Sequence, residues 1–376
     1  MNNIFVVGIF LAFFLQFLLL KKKNRILPDV ILATWMFFIG LHLFSFYIHH
    51  LGYWEKYPHL SGIHHPFPLL HGPFLYLYVV FSLRTDKRFR WKDYAHFLPA
   101  ILSYLYMMPY FLLYTAAEKR MVDSGQMNDY GVFMYVSLVA FIISGITYPI
   151  LAFRLIGRYE KMIHENFAFD EKISLDWLRY SIGGLLVIFL TVALFSVLQH
   201  VANIELSFNP DFIYYSEIIA FIFFVGYYGI RHEGVVVDSS PTVSVKKIVN
   251  PKIEEVRTIG REDCSEVISK LMELMKSQQP YLDPELSLAK LSHLMQVKPE
   301  TLSEVLNSYL NQNFFDFVNK HRIDDFKVIC LDKDNKHLSI MGLAYECGFN
   351  SKAAFYRAFN KFEGISPTAY ISKVSQ

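Results

Sequence analysis

The chain has 376 residues, of which 53% are hydrophobic and only 19% charged, with 35 Phe, 24 Tyr and a formal net charge of +2. A charged fraction below the globular norm of about 25% excludes a disordered chain and a purely soluble enzyme, and the length suggests two or three domains at about 150 residues each. The apolar surplus lies in the first 230 residues and the remainder has ordinary soluble composition, so the net charge averages over two different solvents.

Seven apolar stretches follow one another in the first part, at about residues 4–20, 27–48, 67–83, 94–114, 130–153, 182–201 and 212–230. Each is near the roughly 20 residues that a helix needs to cross a bilayer, and backbone groups in lipid must pair within the segment, so helices are expected. The start of the chain is not read as a signal peptide, because its apolar run is followed by Lys21, Lys22 and Lys23 rather than by a small-residue cleavage site. The connections after the first, third and fifth stretches carry fourteen Lys and Arg and those after the second, fourth and sixth carry three. By the positive-inside rule the first set is cytoplasmic, the N-terminus is outside and the C-terminal part inside. The stretches are expected to lie in a membrane.

Polar residues within apolar stretches are costly and therefore informative. Glu217, His42, His71 and His200 all fall in the outer halves of their stretches. One reading makes them helix-end groups that meet interfacial water. The other makes them a sensing site for an external ligand, with Glu217 as its charged member and a histidine as its partner. Trp35, Trp54 and Trp91 stand in or near the stretch boundaries. His64 and His65 are sequence neighbours, which rarely face one ion together, and no HExxH or Cys-His spacing is present. No metal and no other cofactor is expected.

Residues 232–261 read as a linker, rich in Gly, Ser and Pro before Lys246 and Lys247. A helix over about 262–276 follows, with Val267, Ile268, Leu271, Leu274 and Met275 on one face, able to extend the soluble domain or to pair two subunits. From Tyr281 two helix–turn–helix patterns appear. In the first, Ser287 caps a helix to Met295, and a turn at 296–298 leads into a second helix over 299–309 with Leu302, Val305, Leu306 and Tyr309 inward. In the second, a helix over 339–347 buries Ile340, Leu343 and Ala344. Gly348 makes the turn, and Asn350 or Ser351 caps a helix whose Phe355, Phe359 and Phe362 point inward. Ser351, Lys352, Ala353, Tyr356, Arg357, Asn360 and Lys361 are expected to face out, where Arg, Lys and Asn suit phosphate and base edges in a major groove.

These residues resemble the AraC-type DNA-binding domain. The resemblance is carried by residues 281–288, Phe314 to Arg322, Ile340, Ala344, Gly348-Phe349, Phe355, Arg357-Ala-Phe359 and Gly364-Ile-Ser-Pro367. It implies two helix–turn–helix units, about 281–312 and 336–370, joined by a rigid helix over about 314–331, with recognition helices entering successive major grooves of double-stranded DNA. In the first unit Lys298, Thr301 and Asn307 are the DNA-contact candidates. The chain departs from the family pattern at Ser292, Gln296, Lys298 and Glu304, and residues 281–376 carry eleven basic and eleven acidic side chains, so affinity must rest on a local cationic face. The order of parts resembles membrane-embedded AraC-like regulators.

The expected fold is therefore all-α: a seven-helix transmembrane bundle over 1–231, the linker over 232–261 and a soluble helical domain over 262–376. The expected function is a one-component transcription regulator, not an enzyme, that senses an external or membrane signal through the bundle, binds DNA inside and is able to act as a homodimer. The alternative is a transporter or channel-like protein with a DNA-binding regulatory tail. No catalytic dyad, phosphate-binding loop or nucleophile elbow is visible.

Overall fold

The computed structural model describes residues 2–84, 88–168, 175–231 and 261–374. The linker expected over 232–261 lies outside the described residues except for Arg261. The fold is all-α, and among the described residues the only strand-like pairing is an isolated bridge between Phe167 and Ser287. The chain divides into two compact units, Met1–Ile156 with Leu175–Val236, and Gly157–Ser174 with Val237–Gln376.

The first unit contains α1 (Asn2–Lys21), α2 (Leu27–His50), the short α3 (Tyr53–Lys56), α4 (Pro68–Leu83), α5 (Trp91–Tyr94), α6 (Leu98–Leu113), α7 (Ala116–Asp123), most of α8 (Gly131–Asn166), α9 (Asp176–His200) and α10 (Asp211–Arg231). The tight corner between α1 and α2 is held by polar groups. The Arg25 guanidinium donates to the Leu20 carbonyl at 2.8 Å, and buried Asp29 accepts from the Ile26 amide at 2.9 Å and pairs with Lys22 at 3.1 Å. Helices α1 and α10 approach closely at Gly226, where a Cβ would overlap the Leu15 side chain; small residues allow such backbone approach in helix bundles. Both α9 and α10 run unbroken through Gly183, Gly184 and Gly226.

Among the described residues six helical segments are long and apolar enough to cross a membrane. The third expected span falls short: α4 has 16 residues, about 24 Å at 1.5 Å per residue against a hydrocarbon core of about 30 Å. It is also the most enclosed helix, with nearly every residue from Leu69 to Leu83 buried. A helix surrounded by other helices is relieved of matching the lipid itself. The outer faces behave differently. Ile101, Leu105 and Leu112 on α6, Val132, Val136 and Ile143 on α8, and Val187, Leu190 and Leu194 on α9 are all exposed. Contiguous apolar surface of this extent is foreign to a water-facing monomer and suits lipid chains.

The second unit is built around two apolar clusters. In it α11 (Arg261–Ser277), α12 (Leu288–Met295), α13 (Pro299–Glu304) and α14 (Phe314–Ile329) enclose Leu271, Met275, Leu291, Leu302, Leu306, Phe314 and Val318. The helix read over 262–276 thus extends the soluble core: Leu271 and Met275 are buried in it and Val267 and Leu274 pack on it. The far end of α14, with α15 (Ile340–Glu346), α16 (Lys352–Glu363) and α17 (Pro367–Val374), encloses Ile323, Phe326, Leu343, Ala344, Phe355 and Phe359. Phe362 packs on this cluster and Ile340 is only half-buried against it. The amphipathic stripe of α14 therefore serves both clusters.

Candidate functional site

Each half of the second unit is a pair of short helices joined by a left-handed turn. In the first, the Ser287 hydroxyl accepts from the Lys290 amide at 3.3 Å and starts α12. Gln296 then adopts φ 57°, and Lys298 sits before α13 with Pro299 in the first turn. After Glu304 the chain widens into one π-helical turn, Val305–Tyr309. Leu302, Val305 and Leu306 are inward as expected, but Tyr309 is 37% exposed, because the wider turn rotates it out of the core face.

In the second half the Ser339 hydroxyl caps α15 through the Gly342 amide at 3.0 Å, and Gly348 turns at φ 86°. A Cβ at Gly348 would lie 2.5 Å from the Tyr281 carbonyl oxygen and 2.8 Å from that of Leu282. Ser351, not Asn350, caps α16 by accepting from the Ala354 amide at 3.1 Å. The helix ends at Gly364, φ 71°, whose amide donates to the Asn360 carbonyl. Ser366 then accepts from the Ala369 amide at 3.2 Å and buried Pro367 opens α17. The Gly-Ile-Ser-Pro sequence is thus one helix stop followed by one helix start.

The outward face of α16 is narrower than the sequence suggests. Lys352, Ala353, Arg357, Asn360 and Lys361 are exposed, and Ala353, Arg357 and Asn360 share one stripe at i, i+4 and i+7. Ser351 is only 5% exposed, because its hydroxyl is used on its own helix. Tyr356 is half-buried, with its ring edge-on to Phe355 and the Lys352 ammonium 5.6 Å from its centroid. Lys361 is engaged: its ammonium lies 2.7 Å from both carboxylate oxygens of Asp316, the acid of the first turn of α14. In the first half, Lys298 is exposed, Thr301 half-buried and Asn307 exposed. The Asn307 amide donates back to the Ser303 carbonyl at 2.9 Å, and Asn307 borders a polar cleft of about 490 Å³ with Glu160, Lys161, His164 and Glu165.

Residues 291–373 match the family described as a helix-turn-helix domain. The C-terminal domain is an AraC-type helix-turn-helix domain. No curated protein and no solved structure matches the chain. Domains of this type bind DNA and regulate transcription.

The helix-turn-helix domain contains a buried polar clasp that the sequence reading passed over. Arg322 is 1% exposed. Its Nε donates to the Tyr281 carbonyl at 2.7 Å and its Nη2 to the Asp283 carbonyl at 2.8 Å. Its Nη1 donates to the Asn319 side-chain oxygen and to the Ala168 carbonyl, both at 3.2 Å. Asn319, also 1% exposed, donates to the same Ala168 oxygen at 3.2 Å. Burial pushes the guanidinium pKa down to about 10, against an opposing pull from Asp283, so it stays charged at neutral pH. The signal was available: Arg322 falls four residues after Val318, on the buried stripe of α14. The cysteines are free thiols, with Cys264 and Cys347 buried and Cys330 half-buried.

In the first unit the expected partnership of Glu217 with a histidine does not occur among the described residues. Glu217 accepts from the Thr191 hydroxyl at 3.1 Å, because Thr191 on α9 faces that side of α10. His42 and His71 instead pair with each other, Nδ1 to Nε2, at 3.2 Å, and the Trp35 indole donates to His71 Nδ1 at 3.1 Å. Trp35 is wholly buried and so belongs to the bundle core rather than to an interfacial belt; Trp54 is buried as well, and only Trp91 is exposed. His200 ends α9, and its side chain lies outside the described residues. His64 is buried, and its pKa is held well below the ordinary imidazole value by burial and then by His65 and His49. Among the described residues no group of three or more His, Cys, Asp or Glu is placed to hold a metal ion.

Proposed function

We propose that the protein is a one-component transcription regulator held in the bacterial inner membrane, with its N-terminus outside. The bundle senses a signal from outside or from within the bilayer, and the helix-turn-helix domain binds DNA sequence-specifically in the cytoplasm. The observation that carries this reading is the joining, in one chain, of a DNA-binding domain with several helical segments apolar enough to cross a membrane, six among the described residues. Within the domain, Lys352, Ala353, Arg357 and Asn360 on α16 contact bases and phosphates, and Lys298, Thr301 and Asn307 give the first half a second, weaker footing.

The signal shifts a population between two arrangements of the bundle, by as much as the signal's difference in affinity for them. Residues 157–168 are supported as the segment that carries the shift. They follow the apolar part of α8 in the chain, and Ala168 is held by Arg322 and Asn319 in the helix-turn-helix domain. Genome-wide DNA binding by the tagged full-length protein tests the function. Discrete occupied sites that vanish in Arg357→Ala are expected; uniform, sequence-independent occupancy would remove specific regulation.

A further inference from the structure

The first unit encloses a cavity of about 230 Å³ between α2, α4, α8, α9 and α10. Its lining is chiefly aromatic and aliphatic, including Phe46, Phe189 and Phe221, and no Lys, Arg, Asp or Glu is part of it. His42 and His71 are its imidazoles. Glu217 is not in the lining, so the acid singled out by the sequence plays no part here.

The hydrogen bonds determine where the imidazole protons sit. An indole N–H can only donate, so His71 Nδ1 accepts from Trp35 and His71 is neutral, with its proton on Nε2. That proton is donated to His42 Nδ1, which leaves the His42 proton on Nε2. His42 has no other hydrogen-bond partner among the described residues. A half-buried lining group is thereby turned into a donor of fixed sense, in a lining whose other polar side chains are His71, Ser196, Tyr214 and Tyr215.

The size sets a second limit. An apolar cavity of about 150 Å³ accommodates benzene, and pockets for drug-sized ligands begin near 300 Å³. With no cation in the lining, a carboxylate or phosphate would be buried without a partner.

We propose that this cavity binds a neutral, lipophilic molecule of about two fused rings carrying one hydrogen-bond-accepting oxygen, which receives the Nε2 proton of His42. The proposal rests on the reading of the bundle as the sensing part only for its biological use; the binding itself can be measured without DNA.

The probes are a methyl naphthyl ketone and, as a control of the same shape without an acceptor, isopropylnaphthalene. Each is titrated calorimetrically into the purified full-length protein in detergent micelles. Saturable binding is expected, with the ketone at least tenfold tighter than the hydrocarbon. His42→Gln, which keeps an N–H donor, should retain that preference, and His42→Phe should abolish it while the protein remains folded by thermal unfolding. Equal affinity for the two probes, or no saturable binding of either, overturns the proposal. A reporter gene driven from an occupied site separates the two readings. A ketone that binds with the stated preference but leaves the reporter silent supports the site and removes the bundle as sensor. Loss of the site leaves DNA binding through Arg357 standing.

Discussion

Gln296 and Gly348 occupy equivalent turns and differ in what their backbones need. Both have positive φ, which costs a residue with a Cβ about 1–2 kcal/mol. Gln296→Gly should therefore raise the stability of the helix-turn-helix domain by about 1 kcal/mol once the larger chain entropy of glycine is set against the relief. Gly348→Ala should lower it by about 2–5 kcal/mol, because the added methyl also meets two carbonyl oxygens in a packed core. Urea titration of the two variants checks the opposite signs. Cys347 makes a further residue-scale test. Burial, with the acids Asp325 and Glu346 adding to it, pushes its thiol up to about 12. At pH 8 a free thiol of pKa about 8.5 is about one quarter thiolate and one of pKa about 12 about one part in ten thousand. Alkylation of Cys347 in the folded protein should be at least about 100-fold slower than in the unfolded chain, measured by mass spectrometry. The sign for stability follows: above pH about 8.5 the unfolded thiol loses its proton while the folded one keeps it, so stability falls as pH rises toward 12.

Among the elements, α14 sets what α16 can present. Asp316 at its start holds Lys361, and Lys327 near its end bonds Glu363 at 2.8 Å, a bond that raises the Lys327 pKa. Lys361 must therefore leave Asp316 to reach a phosphate. Arg357→Ala should cost about 1–3 kcal/mol of binding to a specific site through a lost base contact. Lys361→Ala should weaken all sequences about equally and flatten the salt slope by less than the full unit expected of a free lysine. Gel-shift titrations across salt concentration decide both. Arg322 and Asn319 offer their donors to Ala168, which lies outside a fragment made of residues 261–376. A synthetic peptide of residues 157–168 should raise the melting temperature of that fragment by about 4 °C or more at saturation. Arg322→Met should remove the effect, and a peptide that leaves the wild-type fragment unchanged would remove the clasp from the signalling route.

For the whole molecule the testable quantity is topology. The charge asymmetry along the chain favours an N-out arrangement with an odd number of crossings, and α4 is the crossing in question because of its length. A reporter after Gln376 should be active in the cytoplasm and one within residues 202–209 active outside. If α4 is a re-entrant element held by its neighbours rather than a crossing, fusions before and after it would report the same side.

The sequence by itself determined the all-α class, the place of most helices and the Ser287 cap of the DNA-binding domain, while α8 runs on to Asn166, well past the stretch read over 130–153. Each of these depends on local chemistry: unbroken apolar runs, Ser287 before an amphipathic helix, Pro299 in a first turn. The exposed stripe of Lys352, Ala353, Arg357 and Asn360 was legible for the same reason, since helical spacing alone separates it from Phe355 and Phe359. What only the tertiary structure decided were the partners of polar side chains. Glu217 and His42 lie in the outer halves of their stretches and look like partners along the sequence, yet Glu217 meets Thr191 and His42 meets His71. Helix rotation about its axis sets which neighbour a side chain faces, and the low hydrophobic contrast around membrane-spanning helices leaves no pattern from which to read it. Ser351 and Tyr356 were misplaced on the open face, and Lys361, exposed as expected, is engaged there, for a related reason: a hydroxyl used as a cap, a ring laid against a neighbouring phenylalanine and an ammonium held by Asp316, 45 residues away, are each determined by groups that helical periodicity does not contain.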